Sequence, residues 1–317
     1  MSGTYKAIGI NLKSSPLGES DRLLTVLTEE FGLLRVVAPG SRKHKSSLGG
    51  RSSLFVVNQL LLARGKSLDK IIQAESVESY PGLSQDLAKL TAGQYLAELA
   101  LYQALSDQPQ SELFHLLREH LSRLEQFPAG ATLPSLTHAT FHLLVLAGVA
   151  PQVQSCCLSQ EPIQPDFTHS DWRIGFSITA GGTVTLEAME QARVEAAAHP
   201  SPDRAADTAG SYWQREAQAA VSGRFLPKTP ELFIQLDAIE LSLLQQLSQP
   251  RLIQDFLQAD ELLLQPAHRH HWLVLERVLR HYAQYHFDRP IRSASLIDVC
   301  FNAVDAPSVA ISHDAIV

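Results

Sequence analysis

Cysteine is almost missing from this 317-residue chain: there are three, Cys156, Cys157 and Cys300, two of them adjacent. They cannot form a disulfide framework, and they fit a reducing compartment. Long hydrophobic runs are missing too. No segment approaches the ~20 apolar residues that span a bilayer, and the opening MSGTYKAIGI lacks the charged, apolar and small-residue order of a signal peptide. A cytoplasmic protein without a membrane partner is therefore expected. A third absence is local: from Phe31 to Leu68 there is no Asp or Glu.

What fills that stretch is positive. Although the formal net charge is -7, residues 31–68 carry seven basic side chains: Arg35, Arg42, Lys43, Lys45, Arg51, Arg64 and Lys66. The densest part reads PGSRKHKSSLGGR at 39–51. Such a cluster sets the local field whatever the charge elsewhere, because salt screens each charge beyond roughly 8–10 Å. A charge run is most often only a solvated face. Two features here favour an anionic partner instead. Without carboxylates the stretch has no ion-pair network of its own, and the interleaved Gly, Ser and Pro let backbone amides and hydroxyls approach phosphates.

The period of the hydrophobic pattern divides the chain. Residues 4–80 hold five short β-branched or aliphatic runs between turn residues, from YKAIGINL to KIIQAESV, the number that closes an oligonucleotide-binding (OB) barrel. The basic stretch falls between the third and fourth. After Pro81, Leu87, Leu90, Leu96 and Leu99 follow helical spacing. Ser111 is expected to cap ELFHLLREHLSRLEQF, and THATFHLLVLAG reads as a further helix. An irregular insert with CCLSQEP and GFSITAGGTVTLEAM follows, then a helix and loose linker from Glu187 to Gly210. Thr229 is expected to cap a helix over PELFIQLDAIELSLLQQL with Pro230 at its first position, and HHWLVLERVLRHYAQYHF forms another. The expected fold class is α+β and multidomain. It comprises an OB-type five-stranded barrel (1–80), a mostly helical domain (81–153 and 229–317), a degenerate zinc-ribbon-like insert (154–190) and a linker with a helix (191–228).

Few motifs carry chemistry. ARGKSL imitates the end of a P-loop, but Leu60 stands where the first glycine is required, so a turn between strands is expected. His268, His270, His271, His281 and His286 gather near the C-terminus without Cys or an HExxH glutamate, and HLLREH at 115–120 misses HxxEH spacing by one residue. No Ser–His–Asp set stands in a nucleophile context, since Gly40 belongs to GSR and not to GxSxG. Around Cys156 a zinc ribbon would need four thiolate or imidazole ligands, whereas Ser159, Thr185 and Ala188 occupy the other positions. Hydroxyl and methyl groups do not replace thiolates, so a metal-free remnant held by ordinary packing is expected, with no cofactor.

GESDRLLTVLTEEFGLLRVVAPGSRK, followed by RSSLFVVNQLLLARGKSLDKIIQAE, resembles the N-terminal barrel of the RecO family of bacterial recombination-repair mediators. QYLAEL at 94–99 is similar to the start of that family's helical domain, CCLS with GFSITAGG to its zinc insert, and LRHYAQYHFDRPIRS to its final helix. The resemblance covers nearly the whole chain in family order and is strongest from Gly18 to Arg42. It implies a non-enzymatic protein that binds single- and double-stranded DNA and anneals complementary strands. It also implies work with RecR to load RecA onto DNA coated by single-strand binding protein, whose acidic tail would meet the helical domain. Arg22, Arg35, Arg42, Lys43 and Lys45 fall where the family's barrel binds DNA; Arg51, Arg64 and Lys66 join them on charge context alone. Aromatics are scarce in the barrel (Tyr5, Phe31, Phe55, Tyr80), so stacking contributes little and single-strand and duplex binding of similar strength are expected. The competing expectation is an interaction scaffold whose basic loop docks an acidic protein segment.

Overall fold

The computed structural model describes residues 3–198, 231–259 and 264–302. Five strands, β1 (Thr4–Leu17), β2 (Asp21–Thr28), β3 (Gly32–Ala38), β4 (Val57–Ala63) and β5 (Asp69–Glu78), close into a barrel in the order β1-β2-β3-β5-β4. All neighbours are antiparallel except β3 and β5, which pair in parallel at Val36–Asp69 and Val37–Lys70. Alternation sends Leu24 and Val26, Val36 and Ala38, and Leu60 and Leu62 into one interior cluster. The tight β1–β2 and β2–β3 connections need left-handed residues, supplied by Gly18 (φ 62) and Gly32 (φ 65).

One irregularity matters later. In the β1–β2 ladder Asn11 faces Val26 and Lys13 faces Thr25, so Leu12 is an extra, bulged residue. Without the bulge Lys13 would share the inward parity of Gly9 and Asn11. The bulge reverses parity, so Ser14 and Pro16 turn inward opposite Leu24 and Arg22, and Lys13 turns out to solvent.

The barrel belongs to one compact unit with helices α1 (Leu87–Gln103), α2 (Ser111–Gln126), α3 (Thr132–Leu146), and, after residue 248, α6 (Leu252–Gln258), α7 (Arg269–Phe287) and α8 (Ala294–Asn302). Asp86 caps α1 by accepting the Lys89 N–H at 3.0 Å. Tyr95, Phe114 and Trp272 are fully buried in the helical core. The α1–α2 connection is clasped to the β2–β3 turn: Leu33 N–H donates to Leu105 O (2.9 Å), Asp107 N–H to Phe31 O (3.1 Å) and Gln110 N–H to Glu29 O (2.9 Å). This clasp corrects the role expected of Ser111. It is the first residue of α2, not its cap, and its hydroxyl donates to Glu29 Oε1 at 3.2 Å, the same carboxylate oxygen that His115 Nε2 contacts at 3.1 Å.

Residues 151–248 make a second compact unit. Its sheet runs β7 (Gly182–Val184), β6 (Ile174–Ser177), β8 (Ile234–Leu236), accompanied by α4 (Leu186–Ala198) and α5 (Ala238–Gln246). The helix expected from Pro230 is not what forms. Thr229 and Pro230, like most of the linker, lie outside the described residues, while Ile234–Leu236 is a strand paired with β6 and the helix begins only at Ala238. Ladder bonds to Ile174 and Phe176 override the local helical pattern, and Asp237 with Glu240 forms a reciprocal capping box that marks the true start.

Candidate nucleic-acid interface

The basic stretch is an ordered loop between β3 and β4. Leu48, in its middle, is buried among the barrel's interior side chains and acts as its anchor. A short 3-10 turn, Gly50–Ser52, follows, with the Ser52 hydroxyl donating to Leu48 O at 2.7 Å. The buried amide of Asn11 donates to Arg51 O (2.8 Å) and Ser53 O (2.9 Å), and Asn58 donates to Arg51 O (2.9 Å). Phe55, at φ 60, is buried against α1, where a side-chain carbon on Gly93 would stand 3.3 Å from its ring. The loop is thus pinned at its middle and its return, and the cations ahead of the first pin, Arg42, Lys43 and Lys45, are left to project.

Arg42, Lys43 and Lys45 are exposed. Arg42 is braced to the β1–β2 turn, its guanidinium donating to Gly18 O (2.8 Å) and its N–H to Ser20 O (2.9 Å). One carboxylate enters this neighbourhood from outside the loop. Asp21 accepts from Gly40 N–H and from the Ser20 hydroxyl, both at 2.7 Å, which with Lys43 and Lys70 nearby holds its carboxyl below the usual range. The stretch is carboxylate-free along the chain but not in space.

The other expected cations differ in setting. Arg22 lies on the inward parity of β2 opposite Ala38, half-buried at the barrel mouth, with Nη1 donating to Ser14 Oγ at 3.1 Å. Arg35 is exposed on the outer face of β3, level with Thr25 and, across it, Lys13. Arg64 lies over the Tyr5 ring at 5.4 Å, and Lys66 is exposed in the β4–β5 turn. Because Lys70 at the start of β5 pairs with Val37, that turn opens at the same rim as the end of β3. Arg51 stands apart from the rim, on the returning leg of the loop, with its guanidinium on Ser47 O at 2.6 Å. Lys70 and Lys13 were missed in the sequence: Lys70 follows Asp69, which ends the carboxylate-free window, and Lys13 is turned outward only by the bulge.

The zinc-like positions do converge in the second unit. Cys156 Sγ accepts the N–H groups of Ser159 and Thr185, each at 3.4 Å, and lies 3.8 Å from Thr185 Oγ1, which in turn accepts Ala188 N–H at 3.3 Å. Burial pushes the thiol up, but these donors outweigh it and bring the pKa down to about 7. One thiolate, two hydroxyls and a methyl do not fit tetrahedral zinc, so hydrogen bonds hold this turn together.

Of the histidines near the C-terminus, His268, His270 and His271 gather at the start of α7, with His268 and His271 stacked at 5.7 Å and His270 against His271 at 3.7 Å, while His281, on Arg277 O at 2.8 Å, and His286, packed on Tyr282 and Tyr285, lie further along it. Within HLLREH, His115 faces Glu29, while the buried His120 contacts His142 (3.2 Å between ring nitrogens) and His138. No helix among the described residues is long and apolar enough to cross a membrane.

Comparison with known proteins matches residues 1–80 to the family model "Recombination protein O N terminal" and residues 84–202 to "Recombination protein O C terminal". The chain is 51% identical to the DNA repair protein RecO of Nostoc sp. (strain PCC 7120) over the full length of both. It is 53% identical to the protein of that name from Cyanothece sp. (strain PCC 7425), over 95% of this chain and 98% of that one. For Synechococcus elongatus the identity is 42%, over 98% of this chain and all of the relative.

Proposed function

The chain belongs to the RecO family of DNA repair proteins, and from that premise we propose that it grips nucleic-acid phosphates through the basic loop of its barrel. The observation that carries the reading is the loop itself: Arg42, Lys43 and Lys45 project from a segment whose midpoint, Leu48, is buried in the barrel. Anchoring lowers the ordering cost of binding, because the cations are already held out toward the ligand.

Loop and rim contacts of this kind reach the backbone and not base edges, so binding is insensitive to sequence. Neutralising one strand lowers its repulsion toward a complement while its bases stay free to pair, which is how a protein without chemical turnover anneals strands. In this reading the protein is a non-enzymatic cytoplasmic mediator of recombination. It meets RecR and the acidic tail of single-strand binding protein, and helps RecA replace that protein on single strands.

The test is a salt titration of oligonucleotide binding. Arg42→Ala, Lys43→Ala and Lys45→Ala together should weaken binding and flatten the log–log salt slope by about 2 on single strands, at about 0.7 per lost phosphate contact. An unchanged slope moves the grip elsewhere on the molecule.

A further inference from the structure

A second basic feature lies where the barrel meets the helices, a cleft of about 590 Å³. One wall is the β1 bulge with Leu12 and Lys13, another is the face of α1 with Leu101 and Tyr102, and the α7–α8 connection contributes Arg289 and Arg292. Leu54, from the returning leg of the basic loop, also lines it.

Three properties describe what the cleft can hold. First, it has excess positive charge. Lys13, Arg289 and Arg292 are all exposed, and their side chains face a single lining carboxylate, that of Glu98. That carboxylate is already engaged by the backbone N–H groups of Arg292 (2.6 Å) and Ser293 (3.2 Å) as α8 approaches. Second, it has a fixed aromatic wall. The Tyr102 hydroxyl donates to Pro290 O at 2.6 Å and Arg289 lies over the ring at 5.6 Å, so ring and guanidinium offer flat surfaces beside apolar Leu12 and Leu101. Third, it continues the barrel's basic face. Lys13, Thr25 and Arg35 form one outward row across β1, β2 and β3, and the loop that starts with Arg42 ends in the cleft wall at Leu54.

Phosphate-binding cations around a half-apolar, aromatic-walled recess match a nucleotide whose base is unpaired, since stacking needs an accessible π-face and a paired base has none to spare. We propose that this cleft takes an unpaired segment of the nucleic-acid strand held by the basic loop, and so adds a single-strand preference to a grip that is otherwise blind to pairing. The inference rests on the nucleic-acid reading proposed above. It assigns binding roles to Lys13, Tyr102, Arg289 and Arg292, none of which lies in the basic stretch.

The experiment compares full-length wild type, the loop variant, and a cleft variant carrying Lys13→Ala, Arg289→Ala and Arg292→Ala on a single-stranded oligothymidylate and on a duplex. The cleft variant should lose roughly ten-fold in single-strand affinity, with a slope flatter by about 2, and keep duplex affinity within about two-fold. Equal loss on both substrates, or loss on neither, overturns the cleft inference while the loop reading stands. Wild type that binds neither substrate removes both readings. A cleft variant that retains single-strand affinity but no longer binds polyglutamate overturns the inference in favour of an acidic protein partner. Should the triple variant melt early, photocrosslinking of wild type to an iodouracil single strand decides: a crosslink in the Tyr102 peptide with single strand and not with duplex supports the cleft, and its absence overturns it.

Discussion

The guanidinium of Arg42 donates to the carbonyl of Gly18 at 2.8 Å, tying the basic loop to the turn between the first two strands of the barrel. A residue that reads in the sequence as one more phosphate ligand is therefore also a brace. Lys43 and Lys45, its neighbours, are exposed and extend from the backbone that this brace helps to hold.

Braced and unbraced cations should separate on mutation. Lys43→Ala with Lys45→Ala removes charge only, so the single-strand salt slope should flatten by about 1.4 with the melting temperature unchanged. Arg42→Ala removes both charge and tether, flattening the slope by about 0.7 and costing about 1 kcal/mol of stability for the lost hydrogen bond. Salt titration and urea melts of the two variants check this; equal melting behaviour would show that the brace adds nothing.

The three histidines between α2 and α3 make the helical core acid-sensitive. Burial, then neighbouring His142, and then Arg123 lower the His138 pKa to about 3, against the acceptor Gln249 O at 2.8 Å, which favours the cation. Burial, with His138 and His142 beside it, also holds His120 well below its ordinary value. Both are neutral when folded, whereas in the unfolded chain they take up protons near pH 6.5. The contribution is therefore intact above that pH and is lost progressively between about 6.5 and 3, amounting to about 2 kcal/mol for His138 at pH 5. Urea melts at pH 7.5 and pH 5 should show the drop, and His138→Gln should reduce it; a pH-independent midpoint would count against neutral burial.

The second unit should accept zinc once thiolates are supplied. Cys156 Sγ and Thr185 Oγ1 are 3.8 Å apart, close to the sulfur–sulfur spacing across a tetrahedron of Zn–S bonds of about 2.3 Å. Ser159→Cys, Thr185→Cys and Ala188→Cys together should give a chain that binds one zinc ion and melts higher with metal than with chelator, while wild type shows neither effect. Metal analysis and paired thermal melts read the outcome, and a triple variant without zinc would mean that the four positions do not converge as described.

Much of the fold was legible because its signals are local. Five β-branched runs separated by turn residues predict five strands, and helical leucine spacing predicts α1 to α3. Residues 234–246 were not legible in this way. FIQL and the helix after it form one apolar series in sequence, and only pairing with Ile174 and Phe176 makes the first part a strand. Thr229 and Pro230 offered an earlier helix start, and the Asp237–Glu240 capping box that marks the true one emerged only in the structure. In the candidate interface, Arg42, Lys43 and Lys45 stood out by charge context and by the family resemblance together. Asp21 did not, because its partner Gly40 is nineteen positions away along the chain.

The number of barrel strands and the place of the basic loop between the third and fourth follow from residue order alone. These depend on residue type and on periods of a few positions, which one chain displays directly. Tertiary structure decided which way the cations face and what surrounds them. The bulge at Leu12 turns Lys13 outward, Leu48 sinks the middle of the loop into the barrel, and the α7–α8 connection carries Arg289 and Arg292 to the first strand's flank. Strand register and long-range packing set these outcomes, and a one-residue change of register reverses every side chain beyond it without altering the local pattern.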